Sequence, residues 1–126
     1  MTDHDALAVA RDLFDALGRG DLETYRRLMD PTAVVWTNFD DRRHDAAGAE
    51  RLVAFLVDTV EGLHYEIVRR EPIPDGFVQQ HVLRGRAPDG TELAMPACLW
   101  ATVRDGRVVV MEEYLDPAAL AALATR

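Results

Sequence analysis

Lysine is absent from this chain: all fourteen of its basic residues are arginine, set against 22 acidic residues for a formal net charge of −8. With no basic cluster to displace counterions from a phosphate backbone, neither nucleic acid nor an anionic membrane is expected as a partner. The pairs Arg42-Arg43 and Arg69-Arg70 stand isolated and are expected to be solvated. Cysteine is nearly absent too. The single Cys98, between Ala97 and Leu99, excludes an internal disulfide and reads as a buried, inert thiol in a reducing compartment. There is no basic-then-apolar leader and no apolar run near the ~18 residues of a membrane span, so a cytoplasmic location is expected. Glycine-rich phosphate loops, a serine elbow and a dinucleotide fingerprint are all missing. The four histidines show no ligand spacing, so neither a metal nor another cofactor is expected.

What remains is an ordinary globular composition, 48% hydrophobic over 126 residues, enough for one domain spanning residues 1–126 and one core or one enclosed ligand cavity. Leu7, Ala10, Phe14 and Leu17 recur at three- and four-residue steps, which predicts an amphipathic helix over 5–17 that Gly18 and Gly20 end. Asp21 is a suitable N-cap for a short second helix through Met29, closed by Pro31. Residues 33–37 read as a strand, followed by a polar loop. Asp45 or Gly48 opens a third helix whose Leu52, Phe55, Leu56 and Val60 share a face.

From about residue 63 the period changes to two, predicting strands at 63–71, 76–86, 91–103 and 107–115. Asp89-Gly90 and Asp105-Gly106 are turn dipeptides, so the last three strands should form an antiparallel meander. Pro96 cannot donate to a ladder and implies a bulge or bend. A short helical segment follows from Pro117. Helices first and strands later give an α+β fold: a cone-shaped, curved antiparallel sheet with three helices packed on it. The space inside such a cone either fills with side chains or holds a ligand.

Two adjacent carboxylates end the last strand, in Met111-Glu112-Glu113-Tyr114-Leu115. Strand neighbours point to opposite faces, so one glutamate can be solvated while the other enters the interior. Parity sets Glu113 with Val109, Met111 and Leu115 towards the cavity, and Glu112 with Val108, Val110 and Tyr114 outside. A carboxylate among apolar side chains must be hydrogen-bonded, paired or protonated, which makes Glu113 a candidate for acid–base chemistry; the competing reading is a solvated strand end. In the strand 76–86 the even positions end in Arg84 and Arg86, so the odd set, Phe77, Gln79, His81 and Leu83, is the candidate concave face. His81 there is either a second catalytic group or a satisfied core histidine. Trp36 and Asn38 share a face, as an apolar wall and an anchor for a water or carbonyl, or else as core filling and the start of a turn. Phe14, Phe55, Met95, Leu99 and Met111 are the expected apolar lining. Trp100 and Tyr114 alternate with the pocket positions, and on the outer face they suggest a homodimer.

The order helix, short helix, strand, helix, meander resembles the nuclear transport factor 2-like superfamily, which includes SnoaL-like cyclases, ketosteroid isomerase and limonene epoxide hydrolase. Ala16-Leu17 with Gly20-Asp21-Leu22, Asp30-Pro31-Thr32-Ala33-Val34, Gly106-Arg107-Val108 and Glu113-Tyr114-Leu115-Asp116 carry that resemblance. It implies an α+β roll of the cystatin-like kind and an apolar conical pocket. Against the epoxide hydrolase pattern, Trp36 and Asn38 match its aromatic–Asn pair and Glu113 its last acid, but the middle Arg–Asp pair falls on His81 and Leu83. Against the isomerase pattern, its tyrosine and oxyanion-hole aspartate fall near Leu13 and Leu99, so neither donor is present. The resulting expectation is a cofactor-free enzyme acting on a small apolar organic ligand, with Glu113 and His81 as an acid–base pair and Asn38 and Gln79 positioning a water or substrate oxygen. Hydrolase, isomerase, dehydratase and cyclase chemistries are all open to it. The alternative is a non-catalytic hydrophobic-ligand-binding or dimerisation protein of the same fold.

Overall fold

The apolar stripe of the first segment buries Ala10, Leu13, Phe14 and Leu17 along helix α1 (Asp3–Arg19) in the computed structural model, which describes residues 3–124. Residues 1, 2, 125 and 126 of the expected domain lie outside the described residues. Gly20, at φ 70°, takes the left-handed turn that ends α1. Asp21 then caps α2 (Leu22–Leu28), accepting from the Thr24 backbone N–H at 3.0 Å and from the Thr24 hydroxyl at 2.7 Å. Asp45 does the same for α3 (Ala46–Thr59), accepting from the Gly48 N–H at 2.8 Å. A last helix, α4, spans Pro117–Ala124.

Six strands form one sheet in the order β2-β1-β6-β5-β4-β3. They are β1 (Met29–Thr37), β2 (Arg42–Asp45), β3 (Glu61–Ile73), β4 (Gly76–Arg86), β5 (Glu92–Arg104) and β6 (Arg107–Leu115). All neighbours are antiparallel except β1 and β6, which run parallel, so the sheet is mixed where a purely antiparallel one was expected. Strand β1 begins four residues early because Met29, the C-cap of α2, is already extended at φ −101° and ψ 126°. The polar stretch after it is not a loop. Asp41 at φ 54° makes a tight reversal, and Arg42–Asp45 returns as an edge strand, with His44 Nε2 2.7 Å from Asp40 Oδ2.

Pro96 carries no bulge. The β4–β5 ladder passes Val82 and Pro96 in register, and the β5–β6 ladder begins only at Ala97, so the proline lies beyond its end. Curvature enters instead through register shifts in β3, between Glu61 and His64 and between Ile67 and Arg69, and through a shift where Thr102 pairs Val110 but Val103 pairs Val108. Val109 is the extra residue of that last bulge. It turns Val108 inward, against simple alternation, while Met111, Glu113 and Leu115 keep the inward phase. Gly76 opens β4 where no side chain fits: a Cβ there would sit 1.8 Å from the Ala101 carbonyl oxygen.

Helices α1, α3 and α4 pack on the concave face. One apolar cluster joins Leu13, Phe14 and Leu17 of α1 to Phe77, Leu99 and Val108 of the sheet. A second joins Val60, Leu83, Leu93, Met95 and Leu123. Between them the cone stays open.

Candidate active site

Inward-facing residues of the curved sheet and the facing sides of the helices enclose a cavity of about 330 Å³. Its walls include Phe14, Leu83, Met95, Leu99 and Met111, and Phe55 stands with Phe39 and Leu52 at a rim where all three are about half exposed. The polar groups in the wall are few: Glu113, Tyr25, Tyr65 and Thr37. Among the described residues no basic side chain lines it, and Glu113 is its one carboxylate.

Glu113 reaches the cavity from near the end of β6, its side chain 19% exposed. Its Oε2 lies 3.3 Å from Nε2 of His81, a fully buried side chain on β4. The contact is close enough for an ion pair, but its angles fall outside those of a hydrogen bond, and Nε2 has no other partner among the described residues. The other ring nitrogen is held firmly. Nδ1 lies 2.8 Å from Nε2 of the buried Gln79, whose Oε1 accepts from Arg70 Nε at 2.7 Å. Arg70 is thus half-buried and engaged rather than solvated as its sequence neighbourhood suggested; burial lowers its pKa, while Asp15 on α1 acts to raise it.

Aromatic rings frame the imidazole. Tyr65 meets it edge to face at 5.1 Å and Phe14 lies tilted at 5.5 Å, the two rings themselves 5.0 Å apart. Burial pushes the Tyr65 phenol above its ordinary pKa, and the negative charge of Glu113 adds to the rise. Burial does the same to Tyr25, with Glu50 contributing. Both phenols therefore stay protonated and remain donors at neutral pH. Among the described residues no three His, Cys, Asp or Glu side chains converge as metal ligands.

The structure brings together Glu113, Phe14, Phe55, Leu83, Met95, Leu99 and Met111 around one cavity, with His81 directly behind its wall. It takes three expected ligand-contacting residues away. In β1 the inward positions are Val35 and Thr37, so Trp36 points to the outer face, where it donates to Asp41 at 2.9 Å and meets Tyr114 edge to face at 5.1 Å. Asn38 is spent on the backbone: its Nδ2 donates to the Leu115 carbonyl at 3.1 Å and its Oδ1 accepts from the Leu115 N–H at 2.8 Å. Gln79 does face inward but lies behind His81, outside the cavity wall. Cys98, expected to be buried, is only half-buried, since even positions of β5 face outward.

Tyr25 and Tyr65 were missed. The signal for Tyr65 was its parity with Leu63 and Ile67; for Tyr25 it was the three-residue step from Leu22 to Tyr25 to Leu28. Both patterns also fit plain core positions.

A six-strand curved sheet closed into a cone by helices is the nuclear transport factor 2-like fold. Residues 10–111 match the SnoaL-like domain family, and the chain belongs to it. Solved structures of similar fold include IdmH of Streptomyces antibioticus, a candidate polyketide cyclase, at 24% identity and TM-score 0.81 over 99% of this chain and 100% of that one. AclR of Streptomyces galilaeus, a candidate hydroxylase, superposes with TM-score 0.85 at 16% identity over 99% and 88% of the two chains. A Catenulispora acidiphila protein with a ketosteroid isomerase-like fold, in complex with trimethylamine, gives 0.79 at 13% identity over 94% and 93%. At these identities the likeness is one of fold. No curated protein matches the sequence.

Proposed function

We propose that this protein is a cofactor-free enzyme that moves a proton on a small, uncharged, largely apolar carbonyl compound, with Glu113 as general base. The observation that carries the reading is the placement of one carboxylate, in contact with a buried imidazole, in a cavity whose walls are otherwise almost wholly apolar. Among the described residues no cation lines the cavity, which disfavours an anionic substrate. The phenols of Tyr65 and Tyr25 supply the neutral donors that an enolate oxygen needs.

In the step proposed, Glu113 takes a proton from carbon α to the carbonyl, and the C–H electrons pass to the carbonyl oxygen, which a phenol O–H stabilises. Return of the proton at another carbon gives isomerisation. Attack of the enolate carbon on a second carbonyl, with the proton delivered to the new alkoxide, gives aldol-type cyclisation, which agrees in kind with the polyketide cyclase assignment of IdmH. Trp100 and Tyr114, 53% and 60% exposed on the outer face, the latter against Trp36, support the further reading that this face joins two copies into a homodimer, which sedimentation would reveal.

Deuterium exchange at the α-carbon of apolar diketones in D2O, followed by NMR, tests the proposal. Wild-type protein should accelerate exchange, and Glu113→Gln should lose about 10²- to 10⁴-fold of it, the range for a general base, while still binding the ligand. Binding without exchange in the wild type would leave a ligand-binding protein instead, and undiminished exchange in the variant would remove Glu113 as the base.

A further inference from the structure

We infer that Arg70 and Gln79 form a tautomer lock that keeps the hydrogen of neutral His81 on Nε2, the ring nitrogen in contact with Glu113. The inference deepens the proposed function, since it concerns the same site, but it rests on hydrogen-bond chemistry alone.

Arginine has N–H donors and no acceptor. Its Nε, 2.7 Å from the Gln79 side chain, can face only the amide oxygen; an amide turned the other way would set two donors against each other. The NH2 group of Gln79 therefore faces His81 Nδ1 at 2.8 Å, and because that nitrogen receives a hydrogen it carries none. The ring hydrogen of neutral His81 then resides on Nε2, the atom 3.3 Å from Glu113 Oε2. With the opposite tautomer, a lone pair would confront the carboxylate. A second proton on the ring would have to displace the Gln79 amide. His81 is thereby restricted to donating, and the basic function falls to Glu113 alone.

The surroundings leave the ring no other route. Phe14 of α1 and Tyr65 of β3 pack against it, Glu113 faces it from β6, and Gln79 occupies its own strand, while Arg70 itself feels Asp15 and Arg11 of α1. Arg70 and Gln79 lie outside the cavity wall, so they act as positioning residues through His81. Their register makes the relay possible, because Arg70 pairs Gln79 directly across the β3–β4 ladder once the shift after Ile67 has turned Arg70 inward.

Two-bond 1H–15N correlation spectra of protein labelled at histidine nitrogen read the tautomer at neutral pH without any substrate. In the wild type, His81 should show a pyridine-type Nδ1 and a pyrrole-type Nε2. Gln79→Glu puts an acceptor against Nδ1 and should invert the pattern, with kcat falling at least about tenfold and KM little changed. Arg70→Leu frees the amide to turn and should give averaged signals; Arg70→Lys, which keeps a donor for Oε1, should restore the wild-type pattern. An Nδ1–H tautomer in the wild type overturns the inference whether or not any variant folds, and so does an unaltered pattern in Arg70→Leu. If the pattern holds while Glu113→Gln keeps its activity, the base assignment fails and the lock stands.

Discussion

The imidazole of His81 and the carboxylate of Glu113 stand 3.3 Å apart although β5 separates their strands. Two strand spacings amount to roughly 9–10 Å, so both long side chains must lean over the strand between. The register explains how. His81 is opposite Ala97, Glu113 is opposite Leu99, and the methyl group of Ala97 leaves the diagonal clear. Ala97→Leu should wedge the pair apart, costing about 1–3 kcal/mol of stability through overpacking and lowering α-proton exchange by more than tenfold. Denaturant melts and the exchange assay check both effects. A variant that keeps full activity would mean that the pair is not needed.

Tyr65 offers a sharper division between structure and chemistry. Its ring packs against Phe14 and His81, while its hydroxyl is the part available to an oxyanion. Tyr65→Phe keeps the ring contacts. Stability should change by less than about 1 kcal/mol, while kcat falls on the order of 10²-fold, the cost of one oxyanion donor. Equal losses in melting temperature and activity would reduce Tyr65 to a packing residue.

Asn38 does not touch the ligand space, yet its loss should matter. It ties the ends of β1 and β6 together, its side chain making two bonds to the Leu115 backbone and its own N–H donating to the Glu113 carbonyl at 3.2 Å. Asn38→Ala leaves partly buried backbone groups unpaired and should destabilise by about 1–3 kcal/mol. Hydrogen exchange at the Leu115 amide should rise more than at amides of β4. Uniform protection across the sheet would show that the clamp does nothing local.

Acid stability provides a test far from the cavity. The hydrogen bonds from Thr24 draw the Asp21 carboxyl down from the ordinary 3.8 to about 2. Because the folded value is the lower one, the stabilising contribution is complete above about pH 4 and disappears as pH falls through about 2. Asp21→Asn keeps a capping oxygen but cannot titrate. Its stability deficit relative to wild type, from urea midpoints, should therefore shrink between pH 5 and pH 2; a deficit constant over that range would contradict the linkage.

Most of the architecture was legible because period-two and period-3.6 patterns are local: α1, the β4–β6 meander and the caps Asp21 and Asp45 all fall where the spacing put them. What escaped depended on pairing. The edge strand Arg42–Asp45 is polar and becomes a strand only by borrowing β1 as its partner, and the parallel β1–β6 contact joins residues 76 to 79 apart. In the site, parity found Glu113, His81 and the lining residues Leu83, Met95, Leu99 and Met111, because alternation survives wherever no bulge intervenes, while the helical stripes supplied Phe14 and Phe55. It misplaced Trp36 and Asn38, since in β1 alternation alone does not say which of two apolar-looking sets faces the helices. Gln79 lay on the right face, but only the position of Arg70 assigns it to the histidine instead of to a ligand.

The extra residue Val109 gives the site an integer dependence. Counting from the turn at Asp105-Gly106, one unpaired residue sets the phase in which Glu113 faces the cavity and Glu112 faces away. If the strand stayed anchored at that turn and Val109 entered the ladder as a paired residue, the two glutamates would exchange, Glu112 entering the cavity and Glu113 facing water, whereas deleting Val109 would close the bulge and leave Glu113 opposite Leu99. Neighbouring, chemically identical side chains would trade places without any substitution. In this strand the pairing register therefore carries as much functional consequence as residue type.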